Sequence, residues 1–332
     1  MDESQSEVSH QTELDALQWG SLTDWLQLVR LPAVFTLFSN VLAATVLIAG
    51  DFGTWTAVVP TALASLAAYW AGMVLNDVVD LEEDRRHRSK RPLAAGRISP
   101  VIAGHVGTAL LMVCPILILG VTVFHTSQPL WQGAAFAASV ALSICVRAYN
   151  SGLKSTLLGP LLMGSCRALN ILMVGCTALS ISDQAELPLP LLYFAAGIGV
   201  YILGVTVFAG KEELEDSDSA ALLLGVVLQV VGLCLVAFLT RWETREIAWP
   251  ASPNGAFPLL LGLIAMTVMH RCLKAIMEPK SSRVQLAVKH SLLTLILIDA
   301  SVVVMWAGPI YGCIVVALLI PALSSALRVR TT

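Results

Sequence analysis

Ten successive stretches of about 20 residues carry almost no charge, and nothing else in this sequence restricts the fold as strongly. An α-helix of that length crosses the hydrocarbon of a bilayer, and it satisfies every backbone N–H and C=O internally. The stretches lie at 31–50, 56–76, 101–124, 130–149, 156–180, 189–210, 220–241, 257–277, 286–306 and 308–327. Only Gly308-Pro309 separates the last two, so they read as a hairpin or as one broken helix. The expected fold is therefore all-α, a polytopic transmembrane bundle with nine or ten spans. Composition agrees: 13% of the 332 residues are charged, against about 25% in soluble domains.

The placement of charge orients the chain. Lys and Arg favour cytoplasmic loops. With the N-terminus inside, 17 of the 20 basic residues fall on the cytoplasmic side, Arg241 and Arg245 fall outside, and Arg167 lies within a span. The first 24 residues are polar and acidic and lack the basic start of a cleavable signal. They are expected to form a disordered cytoplasmic tail (1–24), followed by a single transmembrane domain over 25–330. The seven cysteines all sit in apolar segments without CxxC or Cys/His spacing, so they read as small core residues. The partners expected at the surface are membrane lipids, and no nucleic acid.

One stretch breaks the pattern. After the uncharged run "VVPTALASLAAYWAGMVL" (Val58–Leu75) comes "NDVVDLEEDRRHRSKRP" (Asn76–Pro92), with five acids and five bases. Asn76, Asp80 and Asp84 are spaced i, i+4, i+8, which stacks them on one helical face at the end of the second span. Two carboxylates and an amide oxygen, partly removed from water, repel unless a cation neutralises them. They are hard oxygen ligands of the kind Mg²⁺ takes, together with water and substrate phosphates. The alternative is an ion-paired helix cap. Asp77 lies about a quarter-turn off that face. Arg85, Arg86 and Arg88 read as a juxtamembrane basic cluster touching anionic lipid; an Arg fork such as Arg91 also suits phosphate oxygens.

The stretch "NDVVDLEEDRRHRSKRPLAAGRIS" resembles the first aspartate-rich motif of the UbiA superfamily of membrane prenyltransferases, NDxxDxxxD followed by bases, RPL and GxIS. "RLPAVFTLFSNVLAA" (Arg30–Ala44) is similar to that family's first span, and "AYNSGLKSTLLGP" (Ala148–Pro160) to its tyrosine-and-lysine loop. The resemblance implies a bundle around a central cavity, with two acidic motifs at its mouth holding Mg²⁺ and an isoprenyl diphosphate. It also implies ionisation of the allylic diphosphate and capture of the cation by a lipophilic or aromatic acceptor. On this reading Asp80, Asp84, Arg91 and Lys154 are catalytic, while Asn76, Asp77, Tyr149, Asn150 and Lys211 contact substrate. For Tyr149 and Lys154, ordinary anchoring at the membrane boundary is an equal alternative.

The second acidic motif departs from the family form KDxxDxxxD. Here it reads "KEELEDSDS" (Lys211–Ser219). Aligned on Lys211, the ligands fall at Glu215 and Ser219, with Asp218 one position early; Glu212 and Asp216 form a competing i, i+4 pair. The metal set is thus Asn76, Asp80 and Asp84 with a contribution from Glu212, Glu215, Asp216 or Asp218. The irregular register leaves a second class open, a non-catalytic UbiA-like binder or transporter of a prenylated or amphiphilic metabolite. A CDP-alcohol phosphotransferase would need a DGxxAR-like signature, which is absent.

Within the fifth span, "GSCRALNILMVG" (Gly164–Gly175) places Arg167 and Asn170 on one face. Similar CRxLN segments occur in part of the superfamily, including an EboC-like branch. An intramembrane Arg is costly unless it faces protein or a cavity, so both residues are expected to contact substrate. Asp299, in the ninth span, has no evident partner in the sequence and reads as a buried, hydrogen-bonded carboxyl.

Overall fold

The computed structural model describes residues 18–125, 127–182, 186, 188–210, 219–242, 253–278 and 280–328, apart from the side chains of 31, 32, 253 and 326–328. Among those residues all regular structure is helical. The helices are α1 (Leu22–Leu28), α2 (Leu31–Ala49), α3 (Trp55–Val79), α4 (Leu81–His87), α5 (Pro100–His125), α6 (Pro129–Tyr149), α7 (Leu158–Ile181), α8 (Leu189–Ala209), α9 (Ser219–Ala237), α10 (Pro253–Met277), α11 (Ser281–Ala307), α12 (Pro309–Ala317) and α13 (Leu319–Arg328). Short 3₁₀ turns follow α6 at Leu153–Ser155 and α9 at Phe238–Arg241. Eight helices are long and apolar enough to cross a membrane, and α2 makes a ninth when counted with α1, from which it is bent by 64°. Of the two alternatives for the last two stretches the hairpin is seen: the chain turns back at Gly308-Pro309 so that α12 packs on α11, with Gly312 against Val304 and Ala300 O. The tenth stretch is itself a short apolar segment over Pro309–Ser325 that parts into α12 and α13 at Leu318.

Local chemistry sets several of these boundaries. Proline opens α6 and α12, where its missing N–H is not needed. Gly50 ends α2 in the left-handed conformation (φ 76°), its N–H bonded to Val46 O at 2.8 Å. The folded unit also begins earlier than the boundary expected at residue 24. Ser21 and Asp24 form a reciprocal capping box at the start of α1, Arg97 Nε donates to Asp24 Oδ1 at 2.5 Å, and Ser99 N–H donates to Gln18 O at 2.9 Å. Asp24 is buried against these partners, while residues 18–23 stay exposed.

The nine long helices pack in sequence around a closed ring, α2–α3–α5–α6–α7–α8–α9–α10–α11, with α11 returning to α2. Additional contacts of α2 with α7 and of α11 with α8 fill the middle. Burial follows that plan: 67% of the apolar window of α11 is enclosed but only 28% of that of α10, so α10 is the helix turned most fully outward.

The tightest interface joins α8 to α9. A Cβ on Gly204 would lie 2.6 Å from Gly225 O, and one on Gly232 would lie 2.6 Å from Gly197 O. The pairing runs in reverse order, so the two helices are antiparallel with their backbones in contact at two points seven residues apart. Small residues permit this approach where helices associate by packing in lipid. Gly204→Leu is therefore expected to lower the thermal midpoint of the detergent-solubilised protein, by the equivalent of about 1–3 kcal/mol or more. Gly262→Leu, where a Cβ meets nothing within 4 Å, should leave it unchanged.

Candidate functional site

The acidic centre forms where α3 ends. Helical hydrogen bonding carries across the α3–α4 junction, with Asp80 N–H bonded to Asn76 O at 2.9 Å and Asp84 N–H to Asp80 O at 2.8 Å. Asn76, Asp80 and Asp84 thus keep the one-turn spacing read from the sequence, although Asp80 itself caps α3 (ψ 5°). Their side chains divide into two groups.

The first group is Asn76, Asp80 and Lys154. Asn76 Nδ2 donates to Asp80 Oδ2 at 2.9 Å. Lys154, in the turn after α6, donates from Nζ to the same Asp80 oxygen and to Asn76 Oδ1, the latter at 3.4 Å. An ammonium therefore occupies the point on which the amide and carboxylate oxygens converge. Asp80 Oδ1 makes no hydrogen bond among the described residues, and the side chain keeps 12% of its surface accessible. Tyr149 is half-buried nearby, its phenol within electrostatic reach of Asp80, Arg30 and Cys166.

The second group gathers Asp77 and Asp84, both nearly enclosed, around Arg91. Arg91 Nη1 donates to Asp84 Oδ2 at 2.6 Å and to Asp77 Oδ1 at 3.4 Å. Asp77 is thus paired as fully as the residues on the predicted face, although it was expected to lie off it. The turn at Arg91–Gly96, with Ala95 N–H bonded to Arg91 O at 2.8 Å, brings the guanidinium back against α3. Arg88 Nη1 lies 3.7 Å from Asp84 Oδ1, which is buried and has no hydrogen-bond partner among the described residues. Arg85 pairs with Glu82 at 2.8 Å on the exposed side.

Arg30 completes the group and carried no site signal in the sequence. Its Nη2 donates to Asp77 Oδ1 at 3.2 Å. Its backbone is left-handed (φ 49°, ψ 61°), which costs an L-residue about 1–2 kcal/mol. Arg30 is the one described non-glycine residue with positive φ. The corner between α1 and α2 aims a cation at Asp77 only because the chain accepts that conformation. Tyr69 Oη donates to Arg30 O at 3.4 Å.

Asn150 plays another part. Its Nδ2 bonds Val146 O at 2.9 Å and Gly72 O at 3.5 Å, tying the end of α6 to α3, and its Oδ1 is buried without a partner among the described residues. Lys211, Glu212, Glu215, Asp216 and Asp218 lie outside the described residues, so both registers proposed for that segment do as well. Among the described residues no three acidic, histidine or cysteine side chains converge on one point. The hard-oxygen set available is Asn76 Oδ1, the Asp80 carboxylate and Asp84 Oδ1. It suits a divalent cation in chemistry, and the Lys154 ammonium marks where positive charge is held.

Deeper in the bundle, Arg167 Nη1 donates to Asn40 Oδ1 at 2.9 Å and Nη2 to Thr36 Oγ1 at 3.0 Å. Asn40 in turn donates to both oxygens of Asp299 at 2.8 Å. Asp299 thus has its partners in α2, where the "SN" of the first span gave no hint of a carboxyl 259 positions away. Asn170 is buried, and neither atom of its amide has a partner among the described residues.

Comparison with known proteins bears on the family and the fold. A profile of the UbiA prenyltransferase family matches residues 37–275. Digeranylgeranylglyceryl phosphate synthase of Ignicoccus hospitalis is 31% identical over 102 residues, 31% of this chain and 33% of that protein. The match therefore spans about a third of the relative's length. Among solved structures, one from work on digeranylgeranylglyceryl phosphate synthase in membranes superposes with a TM-score of 0.62 at 15% identity, covering 87% of this chain and 99% of the other. A UbiA homolog from Archaeoglobus fulgidus bound to GPP and Mg²⁺ superposes with a TM-score of 0.56 at 17% identity, covering 82% and 99%. At such identities the structural likeness concerns the fold. The profile match extends over more than two-thirds of the sequence, and on that ground the chain belongs to the UbiA prenyltransferase family.

Proposed function

We propose that the protein transfers an isoprenyl group from an isoprenyl diphosphate to a lipophilic acceptor within the membrane. The observation that carries this reading is the Asn76–Asp80–Lys154 group set one helical turn from the Asp77–Asp84–Arg91–Arg30 group at one end of the bundle. Carboxylates and fixed cations alternate there within a short distance, which suits a polyanion bound through a metal and through direct ion pairs. The distribution of Lys and Arg supports a cytoplasmic position for this end.

Asn76, Asp80 and Asp84 would hold Mg²⁺, joined by acids of the Glu212–Asp218 segment. The metal supplies positive charge against the negative charge that grows on the leaving diphosphate. Lys154, Arg91 and Arg30 hold diphosphate oxygens in the same sense, from positions fixed before substrate arrives. Tyr149, half-buried beside Asp80, sits where the headgroup gives way to the prenyl chain. The apolar helices around it keep water from the allylic cation. The donor class that supports the reading is the isoprenyl diphosphate named with the Archaeoglobus fulgidus homolog.

Purified protein incubated with labelled geranylgeranyl diphosphate, Mg²⁺ and a membrane lipid extract tests it. Release of diphosphate and transfer of label, both dependent on Asp80, are the expected results. Mg²⁺-dependent binding without release, under every acceptor fraction, would instead identify a binder or transporter of amphiphiles. The irregular "KEELEDSDS" segment gives that second reading its weight.

A further inference from the structure

Asp299 lies fully enclosed in α11, and both of its oxygens accept from the Asn40 amide at 2.8 Å. Ser39 Oγ adds a third bond at 2.5 Å. An amide that gives its N–H groups to a carboxylate can only turn its oxygen the other way. That oxygen accepts from Arg167, whose second contact is the Thr36 hydroxyl. Asp299 therefore sets the guanidinium of Arg167 through one intervening side chain, across α11, α2 and α7.

The arrangement leaves the guanidinium short of partners. It has five N–H donors, and among the described residues only two are bonded, both to neutral oxygens. Among the described residues no carboxylate lies within salt-bridge distance of Arg167; the Asp299 carboxyl is one amide away. Thr36, Asn40 and Asp299 are enclosed, whereas Arg167 keeps accessible surface although it lies nine residues into α7, about 14 Å from the start of that helix. Tyr69 of α3, which bonds Arg30 O at 3.4 Å, is also within electrostatic reach of Arg167. One turn on, the buried Asn170 amide also lacks a partner. An arginine at this depth costs several kcal/mol, and a neutral amide could bond Asn40 and Thr36 without that cost.

We propose that Arg167 binds an anionic group, a carboxylate or a phosphate, on the lipophilic acceptor, and that Asp299 is a positioning residue acting through Asn40. This rests on the prenyl-transfer reading above. The donor diphosphate is engaged at the acidic end, so an anion about 14 Å deeper in the span belongs to a second ligand.

The test uses the full chain in neutral-lipid nanodiscs, with geranyl diphosphate and Mg²⁺ present to fill the donor site. Dodecyl phosphate, dodecanoate and dodecanol serve as probes with a common tail, their binding followed by tryptophan fluorescence. The wild type is expected to bind the anions at least tenfold more tightly than the alcohol, and the stronger of the two anions identifies the headgroup. Arg167→Gln should abolish the preference, Arg167→Lys should keep part of it, and Asp299→Asn should reduce it several-fold. Donor affinity should stay constant in all three, a split that a merely structural role would not produce. Arg271→Gln, in the outward-facing α10, is the control and should behave as wild type. Equal affinity for alcohol and anions, or a preference surviving Arg167→Gln, would overturn the proposal even if Asp299→Asn fails to fold. Geranyl diphosphate binding is read separately. Donor binding indifferent to Asp80→Ala would overturn the prenyl-transfer reading instead, with the anion preference still measurable.

Discussion

Asp80→Ala is expected to cut prenyl transfer by about 100- to 1,000-fold, the range seen when one preorganised electrostatic group is removed from an active site. Its thermal midpoint should stay within a few degrees of wild type. Asp80 caps α3 through its backbone, which alanine retains, and among the described residues its side chain bonds only Asn76 and Lys154. Activity within twofold or threefold of wild type would remove Asp80 from the reaction. Lys154→Ala separates two roles that share one oxygen. The ammonium now stands where Asn76 and Asp80 converge, so it competes with any divalent cation drawn to the same atoms. Without diphosphate, Lys154→Ala should bind Mn²⁺ several-fold more tightly than wild type, measured by electron paramagnetic resonance. The same variant should bind geranylgeranyl diphosphate more weakly, because a cation facing the phosphate oxygens is gone. Weaker metal binding in Lys154→Ala would mean that the lysine and the metal do not meet at Asp80.

The sequence disclosed what periodicity and clustering can encode. Span positions followed from apolar length alone: 101–124 against Pro100–His125, and 189–210 against Leu189–Ala209. The i, i+4 relation of Asn76 to Asp80 also survived, because it depends only on helical rise and twist. What could not be read were pairings across large separations. Arg30 appeared as one more cytoplasmic base; its left-handed backbone and its bond to Asp77 come from a corner that no local pattern announces. Asp299 seemed solitary because Ser39 and Asn40 lie at the other end of the chain. The tail boundary moved for the same reason, since Asp24 finds its base at Arg97. The α8–α9 contact is of the same kind: Gly225 and Gly232 find their partners, Gly204 and Gly197, only in the fold.

Asp84→Ala is expected to act on stability as well as on transfer, in contrast to Asp80→Ala. The Asp84 side chain is 3% exposed and bonds Arg91, itself 26% exposed. Removing one partner of a buried ion pair costs about 3–5 kcal/mol, because the other charge is left uncompensated. Solvent access at Arg91 and its remaining contact with Asp77 bring the expected loss nearer 2 kcal/mol. Arg91→Ala should cost at least as much, since it leaves two enclosed carboxylates to Arg30 and Arg88 at 3.2 and 3.7 Å. The double variant should then be more stable than the sum of the single losses predicts, with a coupling of about 1–3 kcal/mol by denaturation in mixed micelles. Arg91→Lys should recover part of it, because both carboxylates are met by one nitrogen, Nη1, and an ammonium also carries several donors on one nitrogen. Additive losses would mean that Asp84 and Arg91 are not coupled in the membrane-embedded protein. Strong coupling would mean that arrival of a diphosphate at Arg91 must loosen its hold on Asp84, freeing that carboxylate for a cation at the moment the phosphate brings one.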